Sequence, residues 1–128
     1  MKKYIRLILL LISVITFISG VTQVLIPAVV LSFVGATDDP ATRHLFSTIG
    51  MFMFLFGGMM IQVLYNENNN RVAVLWSGFQ KLAAATAVFI GIFKGVFVPI
   101  AAGVAIFDFL SGLLFLYYLT ILKRVVVS

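Results

Sequence analysis

The sequence predicts an all-α fold: an integral membrane bundle of four helices running up and down, with both termini in the cytoplasm. Three observations predict it. Of 128 residues, 62% are hydrophobic and 10% charged, and the mean hydropathy is +1.18. Soluble domains are about 45–50% apolar and about 25% charged. The apolar residues also gather into four long stretches, and almost every charge falls at the end of one. A helix rises about 1.5 Å per residue, so crossing about 30 Å of hydrocarbon takes roughly 20 residues. The chain is therefore expected to be a single transmembrane domain over residues 1–128.

Lys2, Lys3 and Arg6 precede the first stretch, residues 7–33. This opening has the look of a signal peptide, with Ser19 and Gly20 after the apolar run. Apolar sequence continues through Val24, Leu25, Ile26, Val29, Val30 and Leu31, so a retained first span is expected rather than a cleaved leader. Pro27 is expected to kink it near its outer end. Asp38, Asp39 and Pro40 carry turn and helix-start chemistry. The second span is expected over residues 44–65. The stretch from Tyr65 to Arg71, with four Asn and Glu67, is the most polar in the chain and reads as a loop. The third span is expected over 72–93. Lys94 and Gly95 make a tight turn, and Pro99 suits the first turn of a fourth helix over 98–122. Lys123 and Arg124 close it.

Charge bias orients the bundle. One side holds Lys2, Lys3, Arg6, Arg71, Lys123 and Arg124. The other holds Arg43 and Lys94 with Asp38 and Asp39. This bias puts both termini in the cytoplasm, as expected for a multi-pass protein of a bacterial inner membrane. Tyr4, Tyr65, Trp76, Tyr117 and Tyr118 then form an aromatic belt at the cytoplasmic interface. The net charge of +5 is explained by this anchoring, and nucleic acid is not expected as a partner. Cysteine is absent, which removes disulfide exchange and thiolate chemistry. One histidine and four scattered carboxylates argue against a zinc site. Met51, Met53, Met59 and Met60 read as apolar filler rather than copper ligands. No internal repeat is visible.

A step of about 100° per residue sorts the helix faces. On the first helix, Ser13, Thr16, Ser19, Gly20, Gln23 and Pro27 share a face. On the second, His44, Ser47, Thr48, Met51, Gly58, Met59, Gln62 and Tyr65 line up. Lipid offers no partner for Gln or His, so both stripes are expected to face other helices or a hydrated cavity. Close helix packing is the simplest role for the Ser, Thr and Gly residues, whereas Gln23 and Gln62 are binding candidates as well. Ala83, Ala87, Gly91 and Gly95 form a small-xxx-small seam on the third helix, for a neighbour inside the chain or in a second subunit.

Two charges lie deep inside spans. Lys81 stands thirteen residues before Lys94, and Asp108 thirteen after Gly95. In an antiparallel hairpin, equal counts from the turn mean equal depth. A charge at the centre of a span costs about 2.5–3.5 kcal/mol on insertion scales, so each needs a partner or water. The face around Lys81 carries Ser77, Ala84, Ala85 and Val88. The face around Asp108 carries Ala101, Val104, Ala105, Ser111 and Gly112. Both are small enough for a Lys side chain to reach across. Three readings of the pair stay open: a structural ion pair that fixes register, a proton or ion relay, and the polar floor of a pocket for a lipid-like or quinone-like head group. The ligand or relay residues are Lys81, Asp108, Gln80, Ser77, Ser111, Gln23, Gln62 and His44. No catalytic residue, metal or cofactor is expected. His44 lies at an outer helix end, no Ser-His-acid arrangement is visible, and Asp108 would keep Lys81 protonated rather than nucleophilic.

Four short helices, no cysteine, Gln80-Lys81-Leu82, Asp108-Phe109 and the run Leu113-Leu114-Phe115-Leu116-Tyr117-Tyr118-Leu119 together resemble the small bacterial membrane proteins grouped as DoxX-like. The resemblance covers most of the chain and rests on helix count and hydropathy. Some members of that group are described as membrane subunits or partners of redox enzymes, which implies an accessory role. The small multidrug transporters also have four helices, but they carry a key acid in the first span, and this first span has none. The expected function is that of a non-enzymatic accessory or small-ligand-binding protein of the bilayer, organised around Lys81 and Asp108, as a homodimer or with a membrane-complex partner. The alternative is a proton-coupled transporter of a small amphipathic compound.

Overall fold

The computed structural model of the chain describes residues 2–66 and 71–122, with the side chain of Lys2 left undescribed. Glu67 and Asn68 to Asn70 of the expected loop, and Lys123 and Arg124 at the expected close, lie outside the described residues. The described chain is all-helical: α1 (Lys2–Leu25), α2 (Pro27–Val34), α3 (Pro40–Tyr65), α4 (Arg71–Phe93), a 3-10 turn (Pro99–Ala101) and α5 (Ala102–Ile121). Four helices are long and apolar enough to cross a membrane: Lys3–Leu25, Pro40–Tyr65, Arg71–Phe93 and Pro99–Ile121.

The expected kink at Pro27 is a break. Ile26 sits at φ −133° and ψ 61°, outside the helical region that a residue before proline tends to avoid. Pro27 then opens α2 at its first position, where a missing N–H is harmless. In place of the one span expected over residues 7–33 stand a membrane-length helix and a short second one. Gly35 closes α2 with φ +71°, and the Ala36 N–H donates to the Leu31 carbonyl at 3.0 Å. A left-handed residue after a helix favours glycine. Asp39 caps α3: its carboxylate accepts from the Thr42 N–H at 2.9 Å and from the Thr42 hydroxyl at 2.8 Å. The Thr42 N–H, then the Thr42 hydroxyl, hold the Asp39 carboxyl below its ordinary range. α3 thus begins four residues earlier than the expected 44. Gly95 (φ +77°) ends α4, with the Val96 N–H donating to the Gly91 carbonyl at 2.8 Å.

The four long helices form a ring in the order α1, α3, α4, α5, each neighbour antiparallel to the next. The largest contacts are within two hairpins, α1 with α3 and α4 with α5. Each hairpin closes through a pair of glycines. A Cβ on Gly50 would lie 2.8 Å from Gln23 Cβ and 2.9 Å from the Gly20 carbonyl. A Cβ on Gly112 would lie 2.8 Å from Leu82 Cγ and 3.0 Å from the Gly78 carbonyl. Small residues let backbones approach this closely, and packing drives association where lipid removes the hydrophobic effect. Each hairpin also closes with an arginine. Arg6 of α1 donates to the Leu64 and Tyr65 carbonyls of α3 at 2.6 and 2.7 Å. Arg71 of α4 donates to the Leu119 and Leu122 carbonyls of α5 at 2.9 and 2.6 Å. The last carbonyls of a helix lack intrahelical partners, and a cation there also complements the helix dipole. The two hairpins therefore share a plan that the sequence does not reveal as a repeat.

Packing differs between the two ends. At the basic end, which carries Arg6 and Arg71, one apolar cluster joins Ile5, Leu9, Ile12, Met60, Leu64, Val74, Phe115, Tyr118 and Leu122. Tyr4, Tyr65, Trp76 and Tyr117 are exposed around it. Tyr118, expected in that belt, is instead fully buried in the cluster. At the far end the buried residues of the long helices are small or polar, among them Gly20, Gln23, Gly50, Ala85, Gly91, Ala101 and Ala105. The larger buried side chains there are Leu31 and Val34 of α2. The Val98 N–H donates to the Val34 carbonyl at 2.9 Å, tying α2 to the connection between α4 and α5. Arg43 and Asp38 form an exposed ion pair at this end.

Candidate functional site

Between the two ends lies a polar layer. α4 carries Lys81 and α5 carries Asp108 at the depth set by their equal distance from the Gly95 turn. Lys81 Nζ stands 3.4 Å from Asp108 Oδ1. It also donates to Thr16 Oγ1 of α1 at 2.5 Å and lies 5.7 Å from the centroid of the Phe107 ring, within reach of a cation–π attraction. α1 and α4 are diagonal in the ring, so the Lys81 side chain crosses the bundle centre and joins three helices. Thr16 is held for this contact: its hydroxyl donates to the Ile12 carbonyl at 2.9 Å, which leaves its lone pairs for the ammonium.

The two charges are not equally enclosed. The Lys81 side chain is 3% exposed and that of Asp108 13%. Among the described residues, Lys81 is the one donor to the Asp108 carboxylate. A carboxylate has about four lone-pair sites, and one contact at 3.4 Å is long for a charge-assisted bond, which runs about 2.7–2.9 Å. The geometry is that of an enclosed lysine and a partly exposed carboxylate with acceptor capacity left over.

The serines of the layer are already bonded within their own helices. Ser13 donates to Leu9, Ser77 to Ala73 and Ser111 to Phe107, each at 2.7 Å. All three are buried, and their remaining lone pairs give the layer acceptors only. Of the residues placed around Lys81, Ser77 and Ala85 are buried and Ala84 and Val88 half-buried. Around Asp108, Ala101, Ala105, Ser111 and Gly112 are buried, whereas Val104 is 42% exposed. Gln80 is half-buried, and among the described residues its enclosed Oε1 has no hydrogen-bond partner.

The remaining candidates stand elsewhere. Gln23 is buried, but its Nε2 donates to the Phe46 carbonyl of α3 at 2.8 Å, which makes it a clasp between α1 and α3. Ser19, read onto the same inward stripe, is exposed. Gln62 and His44 are exposed, and the inward stripe read on the second helix is displaced. The buried line of α3 is Gly50, Gly57, Met60 and Leu64. Close approach to α1 selects the glycines, and Thr48 satisfies its hydroxyl on the His44 carbonyl at 2.9 Å, so it needs no neighbouring helix. Gln62 and His44 each lie within about a turn of a helix end, where a polar tip reaches the membrane interface. Ala83 and Ala87 of the small-residue seam are exposed, and only Gly91 of that line is buried. Internal packing of α4 uses Gly78 instead. Thr16 is the residue that sequence reasoning left out of the site. Its signal was its place on the polar face of α1.

No protein-family model, curated protein or solved structure matches the chain.

Proposed function

We propose that this chain is a non-enzymatic, small-ligand-binding protein of a bacterial inner membrane, with both termini in the cytoplasm. It takes a lipid-like or quinone-like molecule at the layer formed by Lys81, Asp108 and Thr16, in the accessory role that a resemblance to the DoxX-like proteins implies. The observation that carries this reading is the unequal enclosure of the pair. A pair kept only for register gains most from tight geometry with every lone pair satisfied. Here the carboxylate keeps exposure and unused acceptor capacity. Intramembrane ionisable groups cost enough that such capacity points to a molecule that uses it.

The orientation rests on the charges. Lys3, Arg6 and Arg71 share one end, while Arg43 and Lys94 share the other with Asp38 and Asp39, so the basic end is the cytoplasmic one. Transport is the weaker reading. Below the polar layer the basic end is filled by packed side chains from Ile5 to Leu122, apolar except for the Tyr118 hydroxyl, which closes the way toward the cytoplasm. Binding from the bilayer or from the far side needs no such way through.

The test is native mass spectrometry of protein extracted gently from the membrane. A non-covalent apolar adduct, one per chain, is expected. Protein that carries no adduct, and that acquires none when membrane lipid extract is restored, would contradict the reading. Proton-driven flux in proteoliposomes would favour the transporter instead.

A further inference from the structure

The chemistry of the open group narrows what binds. Lys81 is closed in by Thr16, Asp108 and the Phe107 ring, whereas Asp108 is partly exposed and has lone-pair sites to spare. The polar atom offered to an incoming molecule is therefore an acceptor. The adjoining serines have spent their protons on their own helices, so the layer offers that molecule no second donor from Ser77 or Ser111.

We infer that the site takes a neutral hydroxyl on an apolar body, the hydroxyl donating its hydrogen bond to the Asp108 carboxylate. This rests on the binding reading above and specifies its ligand class. Two alternatives fit less well. A head group with acceptors only, such as a quinone carbonyl or an ether, needs the Lys81 ammonium as its donor, and that side chain is enclosed at 3% exposure. An ammonium is a donor, but the lysine and the aspartate together are neutral, and a third charge would leave a net charge inside the spans. A neutral hydroxyl meets the carboxylate and adds no charge. Val104, about one turn along α5 from Asp108 and 42% exposed, gives the apolar body a surface facing the bilayer.

The experiment uses the full chain in nanodiscs and follows the thermal midpoint, which a ligand raises by mass action. The probes are 4-nonylphenol, 4-nonylanisole, 1-dodecanol and dodecylamine. Protein carrying Lys81→Met and Asp108→Asn serves as the blank for partitioning into the bilayer. The phenol is expected to bind at least about ten-fold more tightly than its methyl ether, the loss expected for one hydrogen bond to a charged group. The amine is expected to bind more weakly than the phenol. The relative strength of phenol and alkanol tells an aromatic ligand from an aliphatic one. An anisole as tight as the phenol, or an amine tighter than it, overturns the hydroxyl inference and leaves the binding reading intact. Failure of all four probes to raise the midpoint above the blank contradicts both.

Discussion

Lys81, Asp108 and Thr16 show how far single residues were legible. Equal spacing from the Gly95 turn was enough to pair the lysine with the aspartate, because antiparallel neighbours of one hairpin have their depths fixed by the turn. Thr16 was not legible as a partner. It comes from the diagonal helix, and the rotation of α1 against α4 is set by packing that no local spacing encodes. The three residues predict non-additive energetics. Lys81→Met alone leaves a carboxylate uncompensated in the membrane, and removing one member of a buried pair costs about 3–5 kcal/mol. Lys81→Met with Asp108→Asn is expected to recover much of that loss, read as a double-mutant cycle from unfolding in detergent. A double variant no more stable than the lysine variant would show that the two side chains do not act as a pair. Thr16→Val is expected to destabilise more than Thr16→Ser, since only valine leaves the ammonium without its oxygen.

The helices were legible as segments, less so as faces and ends. Pro27 announced an interruption, but kink or break depended on Ile26 leaving the helical region. On α3, the pattern of small and polar residues pointed to the line of His44, Met51 and Gln62. The observed line is Gly50, Gly57, Met60 and Leu64, because backbone approach to α1 outweighs the placement of polar tips near helix ends. Gly50→Ala is therefore expected to destabilise by about 1–3 kcal/mol through overpacking, while Gly103→Ala, whose Cβ meets nothing within 4 Å, is expected to be neutral or mildly stabilising. Equal effects in an unfolding series would remove the glycine seam from the account. The arginines read as topological anchors also serve as caps. Arg71→Gln should expose the end of α5 to faster hydrogen exchange at Leu122, whose N–H closes the last turn on the Tyr118 carbonyl. Unchanged exchange there would speak against a capping role. The Asp39 cap adds a pH dependence. Its carboxyl is held below the ordinary aspartate range, so the ionised cap stabilises the start of α3 above about pH 4. That contribution is lost as pH falls through the lowered value, and Asp39→Asn should flatten this part of the stability profile.

At the scale of the whole molecule, composition alone announced the membrane, and helix count and antiparallel order followed from loop positions. What was hidden was the division of the bundle into a solid apolar end, a polar middle layer and a far end lined by small residues under α2. That division depends on which faces meet across four helices, and the proposal of binding over transport rests on it. Reporter fusions at both termini should report the cytoplasm, and a terminus facing outward would invert the orientation argued from Arg6, Arg71 and Lys94. The central claim is that the middle layer holds a molecule and does more than fix register. The most direct test measures folding and ligand retention on one sample of the Lys81→Met, Asp108→Asn protein. The expected result is a folded, membrane-inserted chain that has lost the adduct carried by the parent. A folded double variant that retains the adduct at the parental level would contradict it.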